Sequence, residues 1–234
     1  MQILSTVSGG VLDHAIASAS SIRERVDQEG VVLFRAGTRD DFVKLAKKVG
    51  PSIPHRDADE DDVTEVKFVP DLAGQAGYDG LSAGPLDPHT DGSGNSIAPS
   101  YVALWCAEQA GYGGESVLVD IREVVSDLQR EAPWVIETLA QPGIAIFRSG
   151  ADAYSGPVLF KEQGQWRVRL RLDSQGFFNG DGQRAIQRIR EAIGRRAKTF
   201  VMQPGEGYII DNHRILHGRL PFSGSRRMLR VLMS

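Results

Sequence analysis

After Pro85 the apolar residues fall into a period of two, and this alternation constrains the fold more than any other feature of the chain. SYVALWCA, ESVLVD, GIAIFR, GPVLFKE, QWRVRLRLD, KTFVMQ, GYIIDN and RRMLRVLM are short, apolar or alternating, and bounded by turn residues; HTDGS is also strand-like. Alternate side chains of a strand face opposite sides, so each run has a face to bury against a second layer. Many short strands at regular spacing predict a sandwich or barrel, not a doubly wound parallel sheet. Helices are expected only at REVVSDLQ, PWVIETLA and DGQRAIQRIREAIGRR in this part of the chain.

The first fifty residues predict helix, strand, helix: VLDHAIASASSIRERVDQ, VVLFRA and TRDDFVKLAKKV. Asp13 and Thr38 are the expected N-caps, with Gly30 and Gly50 closing the segments. From Pro51 to Gly84 the chain is acidic and glycine-rich around one short strand candidate, TEVKFV, which predicts a mobile surface loop region. With 234 residues and 41% hydrophobic content, one domain over 1–234 is expected, burying roughly 70–75% of its unfolded surface. In that arrangement residues 1–50 pack on a part spanning 85–234.

A formal charge of −3 argues against a nucleic-acid partner, which would need clustered, uncompensated Lys and Arg. The single cysteine, Cys106, cannot form an internal disulfide, and its run YVALWCA reads as buried strand, so a reducing compartment is expected. MQILSTVSGG lacks a basic n-region and an apolar h-region, and no window approaches the ~20 apolar residues of a membrane span. The expectation is a soluble, cytoplasmic protein with no membrane partner.

Three side chains carry the chemistry. His89 and Asp91 stand in LDPHTDGSG, and residues i and i+2 of a strand lie on one side about 6.6 Å apart at Cα, so both can face one ion while Thr90 points away. DNHRILHGR offers His213 and His217. On a helix HxxxH would make a zinc pair, but here it sits between GEGYIIDN and GRLPF, where a turn and strand are expected. Four residues along a strand span roughly 13 Å, too far for both to reach one metal at about 2.1 Å. Spacing alone does not choose between them. Two imidazoles and one carboxylate leave three octahedral positions open, as non-haem iron(II) needs to take a cosubstrate and oxygen together. In SRRMLR, Arg226, Met228 and Arg230 share one strand face, and guanidinium groups directed inward require an anion. Ser116, after the turn in GYGGESVLVD, has a hydroxyl able to donate to a carboxylate.

Together HTD, GGES, DNHRILHGRLPF and RRMLR resemble the iron(II)/2-oxoglutarate dioxygenases of the taurine dioxygenase and clavaminate synthase group, over roughly residues 85–234. The resemblance implies a mainly β fold with flanking helices around a double-stranded β-helix, the jelly-roll or cupin-like core. It implies His89, Asp91 and His217, not His213, as iron(II) ligands. It places Arg226 on the distal carboxylate of 2-oxoglutarate, with Arg230 second in the RxxxR pair and Ser116 as a further contact. The implied reaction is hydroxylation or another oxidation of a small molecule, an amino acid or natural-product intermediate, with O2 consumed and succinate and CO2 released. Because Asp91 is present, the halide-binding variant of the site is excluded.

Substrate contacts are sought in two places. The loop from Gly74 to Leu86 precedes the metal pair and has the glycines of a lid, with Tyr78 and Leu81 as candidates. QWRVRLRLD sets Arg167, Arg169, Arg171 and Asp173 on one face; the simpler expectation is a sheet with one wet side. If that face lines the pocket instead, Arg169 and Arg171 suit a substrate with carboxylate or amine groups. Against the oxygenase stands a metal-binding β-barrel that is no oxygenase, a zinc hydrolase or ligand-binding module; a third possibility is a barrel whose site has decayed.

Overall fold

The computed structural model describes residues 12–13, 19–72 and 74–234. Two facing sheets form its centre. In the larger, the strand order is Leu12–Asp13, Val31–Arg35, Glu206–Asp211, Tyr101–Glu108, Arg227–Met233 and Val63–Lys67. The smaller runs Lys198–Phe200, Ser116–Asp120, Ile215–Arg219 and Leu86–His89. Apart from Leu12–Asp13 with Val31–Arg35, which is parallel, every pairing in these two sheets is antiparallel. This is the expected jelly-roll.

Both faces of the smaller sheet are buried, and strand parity explains how one sequence serves two cores. Val117, Val119 and Leu216 point outward beneath the helices Ile121–Glu131, Pro133–Leu139 and Gly180–Arg196, where Leu128, Ile189 and Ile193 meet them. Their neighbours Leu118 and Ile215 point the other way and pack between the sheets with Cys106, Tyr208 and Met228. A third cluster lies on the outer face of the larger sheet, where Phe34, Phe42 and Trp105 stack with centroids 6.0 and 5.9 Å apart. The helices form where they are signalled. Asp120 caps the first by accepting from Arg122 N, Pro133 opens the second, and Asn179 caps the third by accepting from Gly182 N. Ala185, Ile186, Ile189, Ala192 and Ile193 supply the buried stripe of the third at helical spacing.

The two long helices are tied together by Asp127, whose buried carboxylate accepts from Arg196 Nε at 2.6 Å and from Arg130. The Arg196 bonds, aided by Arg130, hold its pKa at about 2, below the ordinary 3.8. A depressed carboxyl pKa stabilises the fold above the unfolded value and loses that contribution as pH falls through the folded one. Asp127→Asn is therefore expected to melt below wild type near neutrality, with the difference closing between about pH 4 and pH 2. Melting temperatures of both proteins across that range check this.

Several expectations are corrected. Asp13 is not an N-cap: Leu12–Asp13 is a strand extending the sheet edge beside Phe34–Arg35, and the helix runs Ala19–Glu29. Pairing occupies an otherwise open edge. Residues 14–18, also placed in that helix, lie outside the described residues. Thr38 does cap its helix, accepting from Asp41 N. The strand at the metal pair is Leu86–His89, and the chain turns after it because Gly92 has φ +63°, a left-handed conformation that suits glycine. Asp152–Gly156 and Gly176–Phe178, which carry little alternation, are strands of a small sheet around Ala145–Ser149. Among the described residues no helix is long and apolar enough to cross a membrane.

Candidate active site

Register brings the site together. Within the smaller sheet His217 pairs with His89, so two residues 128 positions apart in sequence become direct cross-strand neighbours, with ring centroids 4.4 Å apart. The pairing shifts register after His217, and Gly218 permits this: a Cβ there would stand 2.5 Å from Leu86 O. Asp91 lies between the rings, Oδ1 at 3.7 Å from His89 Nε2 and Oδ2 at 3.6 Å from His217 Nε2. One potential ligand atom from each residue falls within 4.8 Å of the others, and all three residues are buried.

The electrostatics prepare the group for a cation. His89 Nδ1 lies 2.9 Å from Asp87 O. A carbonyl only accepts, so the proton is on Nδ1 and the Nε2 lone pair faces the site. Burial first, then the charges of Arg171 and His217, push the His89 pKa down to about 4, leaving a neutral imidazole near pH 7. Burial alone would raise the pKa of Asp91, but the Arg230 guanidinium, at 3.1 and 3.2 Å from its oxygens, and the two histidines hold it well below the carboxylate range. Neutral imidazole and ionised carboxylate are the forms that bind metal. Mixed nitrogen and oxygen donors on one side of an ion fit a first-row transition metal with open positions.

Asn212, which the sequence does not single out, fixes this arrangement. Fully buried, it accepts from Asp91 N at 2.9 Å and donates to Asp91 O at 3.0 Å and Pro99 O at 2.8 Å. Thr90 points away as expected and anchors the other side, its Oγ1 accepting from Leu170 N and its N–H donating to Leu170 O. Leaving a buried polar group unpaired costs about 1–3 kcal/mol, so Asn212→Ala is expected to destabilise the fold by about 2–4 kcal/mol. Because the Asp91 backbone is what loosens, metal affinity should fall too. Denaturant unfolding and a metal titration of the same variant test both effects.

The triad opens into a cavity of about 160 Å3 between the sheets, lined also by Ser116, Tyr208, Arg226 and Arg230. Arg226, Met228, Arg230 and Leu232 all face it, so the predicted strand parity holds although regular pairing begins at Arg227. The two arginines differ. Arg230 is engaged with Asp91, whereas Arg226, only 5% exposed, has no hydrogen bond or ion pair among the described residues and a buried Nε without a partner. Burial lowers its pKa from the usual arginine value. A buried guanidinium without an acceptor is costly, and an anionic ligand is the economical explanation.

Tyr78 and Leu81 line the same cavity from a turn at Asp79–Leu81. That loop, expected to be mobile, is strapped down. Arg219, two residues beyond His217, donates to Gly80 O, Ser82 O and Gly84 O, the last two at 2.7 Å. The Arg56 guanidinium stacks 4.4 Å over the Tyr78 ring and donates to Gly77 O. Burial, with the charge of Arg226, pulls the Arg219 pKa down to about 10.

The QWRVRLRLD face is not wet. Regular strand ends at Val168, and Arg169 is buried, donating to Ser93 O and Asn95 O with its guanidinium 3.7 Å from the Tyr154 centroid. Arg169 is absent from the cavity wall and holds the loop after Asp91, so its place as a substrate residue is corrected. Arg171 does line the cavity, paired with Asp173. His213 does not; its N–H donates to Asp211 and its ring lies against Phe160.

A jelly-roll with a buried His–Asp–His cluster between its sheets defines a class of metal-dependent β-fold proteins. The profile described as "Taurine catabolism dioxygenase TauD, TfdA family" matches residues 9–233, and the chain belongs to that family. It is 27% identical over 180 residues to enduracididine beta-hydroxylase of Streptomyces hygroscopicus, covering 62% of this chain and 51% of the relative. With L-asparagine oxygenase of Streptomyces coelicolor it shares 25% identity over 166 residues, 69% of this chain and 48% of the relative. The chain thus spans about half the length of the curated relatives it matches. The fold is shared with an asparagine oxygenase solved with Fe(II), 2S,3S-3-hydroxyasparagine and succinate: TM-score 0.76, 16% identity, 92% of this chain and 77% of that one. It is shared also with the non-heme iron oxygenase OrfP solved with Fe and alpha-ketoglutaric acid: TM-score 0.72, 17% identity, 92% and 78% coverage. OrfP has been solved with Fe, succinate and (3R,4R)-dihydroxy-L-Arg as well.

Proposed function

We propose that this chain is an Fe(II)- and 2-oxoglutarate-dependent oxygenase that hydroxylates a small molecule, an amino acid or a related biosynthetic intermediate. One observation carries the reading: a buried His89–Asp91–His217 cluster shares its cavity with Arg226, a buried cation that has no hydrogen bond or ion pair among the described residues. A metal trio alone would suit a zinc hydrolase equally; the unpaired guanidinium adds a seat for an anionic cosubstrate beside the metal. Membership of the TauD, TfdA family and the iron and α-ketoglutarate of OrfP point the same way.

In this reading His89, Asp91 and His217 hold the iron. Bound there, iron(II) with 2-oxoglutarate supplies the oxidising power for an unactivated C–H bond, as O2 is reduced and the cosubstrate becomes succinate and CO2. The rest is orientation by the protein. Arg226 clamps the distal carboxylate with a two-pronged, charge-assisted contact, and Ser116, on the facing sheet beside the strand of His217, adds a hydroxyl donor. Asp87 O fixes the tautomer of His89, and Asn212 fixes the backbone of Asp91. Arg219 holds the turn that carries Tyr78 and Leu81 at the cavity wall. The enzyme acts in a reducing, cytoplasmic setting, in keeping with a buried Cys106 whose thiol pKa burial pushes up to about 11.

The test has two parts. Under anaerobic Fe(II), 2-oxoglutarate at 100 times its dissociation constant should stabilise the protein by about 2.7 kcal/mol. In air, succinate formation should depend on iron and stop in His217→Ala; undiminished turnover in that variant, or zinc-dependent hydrolysis without 2-oxoglutarate, would overturn the assignment.

A further inference from the structure

Five arginines and two aspartates line the cavity. The aspartates are both engaged: Asp91 belongs to the metal cluster, and Asp57 lies 3.2 Å from Arg56 Nε and 3.7 Å from His55. No lining carboxylate is left to receive a cation. Among the guanidinium groups, Arg56, Arg230 and Arg171 are paired with Asp57, Asp91 and Asp173, Arg219 is bonded to backbone carbonyls, and Arg226 has no ion pair among the described residues, so cations outnumber anions at the cavity. Iron(II) and 2-oxoglutarate bring equal and opposite charges, so loading the site leaves the cationic excess of the walls unchanged. As a metal ligand Asp91 would share its carboxylate between the ion and Arg230, loosening its hold on that guanidinium, and Arg226 would take the distal carboxylate of 2-oxoglutarate. Arg230, bonded to Asp91, and Arg171 both line the cavity beside the metal cluster.

Arg171 is built to reach that place. Its segment is pinned at Leu170, whose C=O accepts from Thr90 N and whose N–H donates to Thr90 Oγ1, next to the metal pair. Asp173 accepts from its Nε at 2.9 Å and also from Gln175 N at 3.0 Å, which fixes the guanidinium at its rear edge. Its Nη1 has no partner among the described residues. A guanidinium held on one side and free on the other is preorganised for an anion and costs little further entropy on binding.

We propose that the substrate is an acid with two anionic groups, such as an α-amino dicarboxylic acid, bound between Arg230 and Arg171, and that Arg171 selects it. This rests on the oxygenase reading of the cavity and adds the substrate class. Cationic side chains such as the guanidinium of the dihydroxyarginine solved with OrfP are disfavoured here, because the carboxylates that line the cavity, Asp57 and Asp91, are already paired with Arg56 and Arg230.

The test uses anaerobic protein with Fe(II) and 2-oxoglutarate, and compares binding of L-aspartate with L-asparagine, L-glutamate with L-glutamine, and both acids with L-lysine and L-arginine. At least one acid should bind about tenfold or more tightly than its amide, the worth of one charge-assisted contact, and neither cation should bind measurably. Arg171→Gln should bring acid and amide to within about twofold of each other, and Arg171→Lys should restore part of the gap. Amides or cations binding as well as the acids, binding by neither acid, or an unchanged preference in Arg171→Gln would each overturn the proposal. The wild-type comparison decides the matter by itself should the variants not fold. Titration of 2-oxoglutarate alone into the same protein reports separately on the oxygenase assignment, since the acid–amide comparison can be made with or without the cosubstrate.

Discussion

An Asp91→Ala protein is expected to lose iron binding by more than about 100-fold, beyond the 10- to 100-fold that losing an outer partner of a metal ligand costs, and to unfold more easily as well. Both effects come from one charge. Asp91 is the only anion of the cluster, placed between two imidazoles, and it is the acceptor for Arg230. Without it two histidines remain, and nothing offsets the cost of bringing a doubly charged ion out of water. The guanidinium of Arg230, 16% exposed, loses its counter-ion at the same time. Removing one member of a buried pair typically costs about 3–5 kcal/mol because the other is left desolvated, and the lower end is expected here since Arg230 retains some access to water. Anaerobic iron titration and denaturant unfolding of the metal-free protein separate the two losses. A metal-free variant as stable as wild type would mean that Arg230 finds another acceptor.

The acidic limb of the wild-type stability curve follows from the same group. The folded-state pKa of Asp91 lies below its unfolded value, so its contribution is complete above about pH 4 and disappears as acid protonates it. Asp127 behaves alike in a different place. Falling pH therefore releases both the tie between the helices and the charge at the site.

What the sequence discloses of this site follows the range of the interactions. His89 and Asp91 are legible because their geometry is local: two residues on one strand side, with a glycine turn behind them. The parity of Arg226 and Arg230 is legible for the same reason. The choice of His217 over His213 is not a local matter. It depends on a register between Leu86–His89 and Ile215–Arg219, and only the family resemblance supplied it. Asn212 and Arg219 escaped because their partners are more than a hundred residues away, Asp91 and Pro99 for one, the Gly80–Gly84 carbonyls for the other. A polar residue that will be buried looks like any loop residue until its acceptors are known. Arg169 failed for the converse reason: alternation places it correctly on the face opposite Leu170, but what lies over that face is the loop after Asp91, not the cavity. Asp13 carries a valid capping residue type, and strand pairing with Arg35 overrides it.

Arg226 should respond to mutation in the opposite way to Asp91. It is as deeply buried, yet it has no acceptor among the described residues, so the fold carries the cost of a desolvated cation without return in the metal-free state. Replacing it with methionine, of similar length and apolar, is expected to leave the unloaded protein as stable as wild type or more so, as when buried charges give way to well-packed apolar groups. Its neighbours are suited to this: Phe222 lies 5.6 Å from the guanidinium, and Gly114 packs on the arginine stem. Affinity for 2-oxoglutarate should fall in the same variant by about 10- to 150-fold, the equivalent of a charge-assisted hydrogen bond worth about 1.5–3 kcal/mol. Arg226→Lys keeps the charge without the planar fork and should fall between the two. The informative result is the pairing of effects. A residue kept for packing would lose stability and leave the cosubstrate affinity alone, whereas one kept for the cosubstrate loses affinity and gains stability. Unchanged 2-oxoglutarate affinity in Arg226→Met would transfer the anchor to Arg230, whose replacement would then have to produce the loss instead.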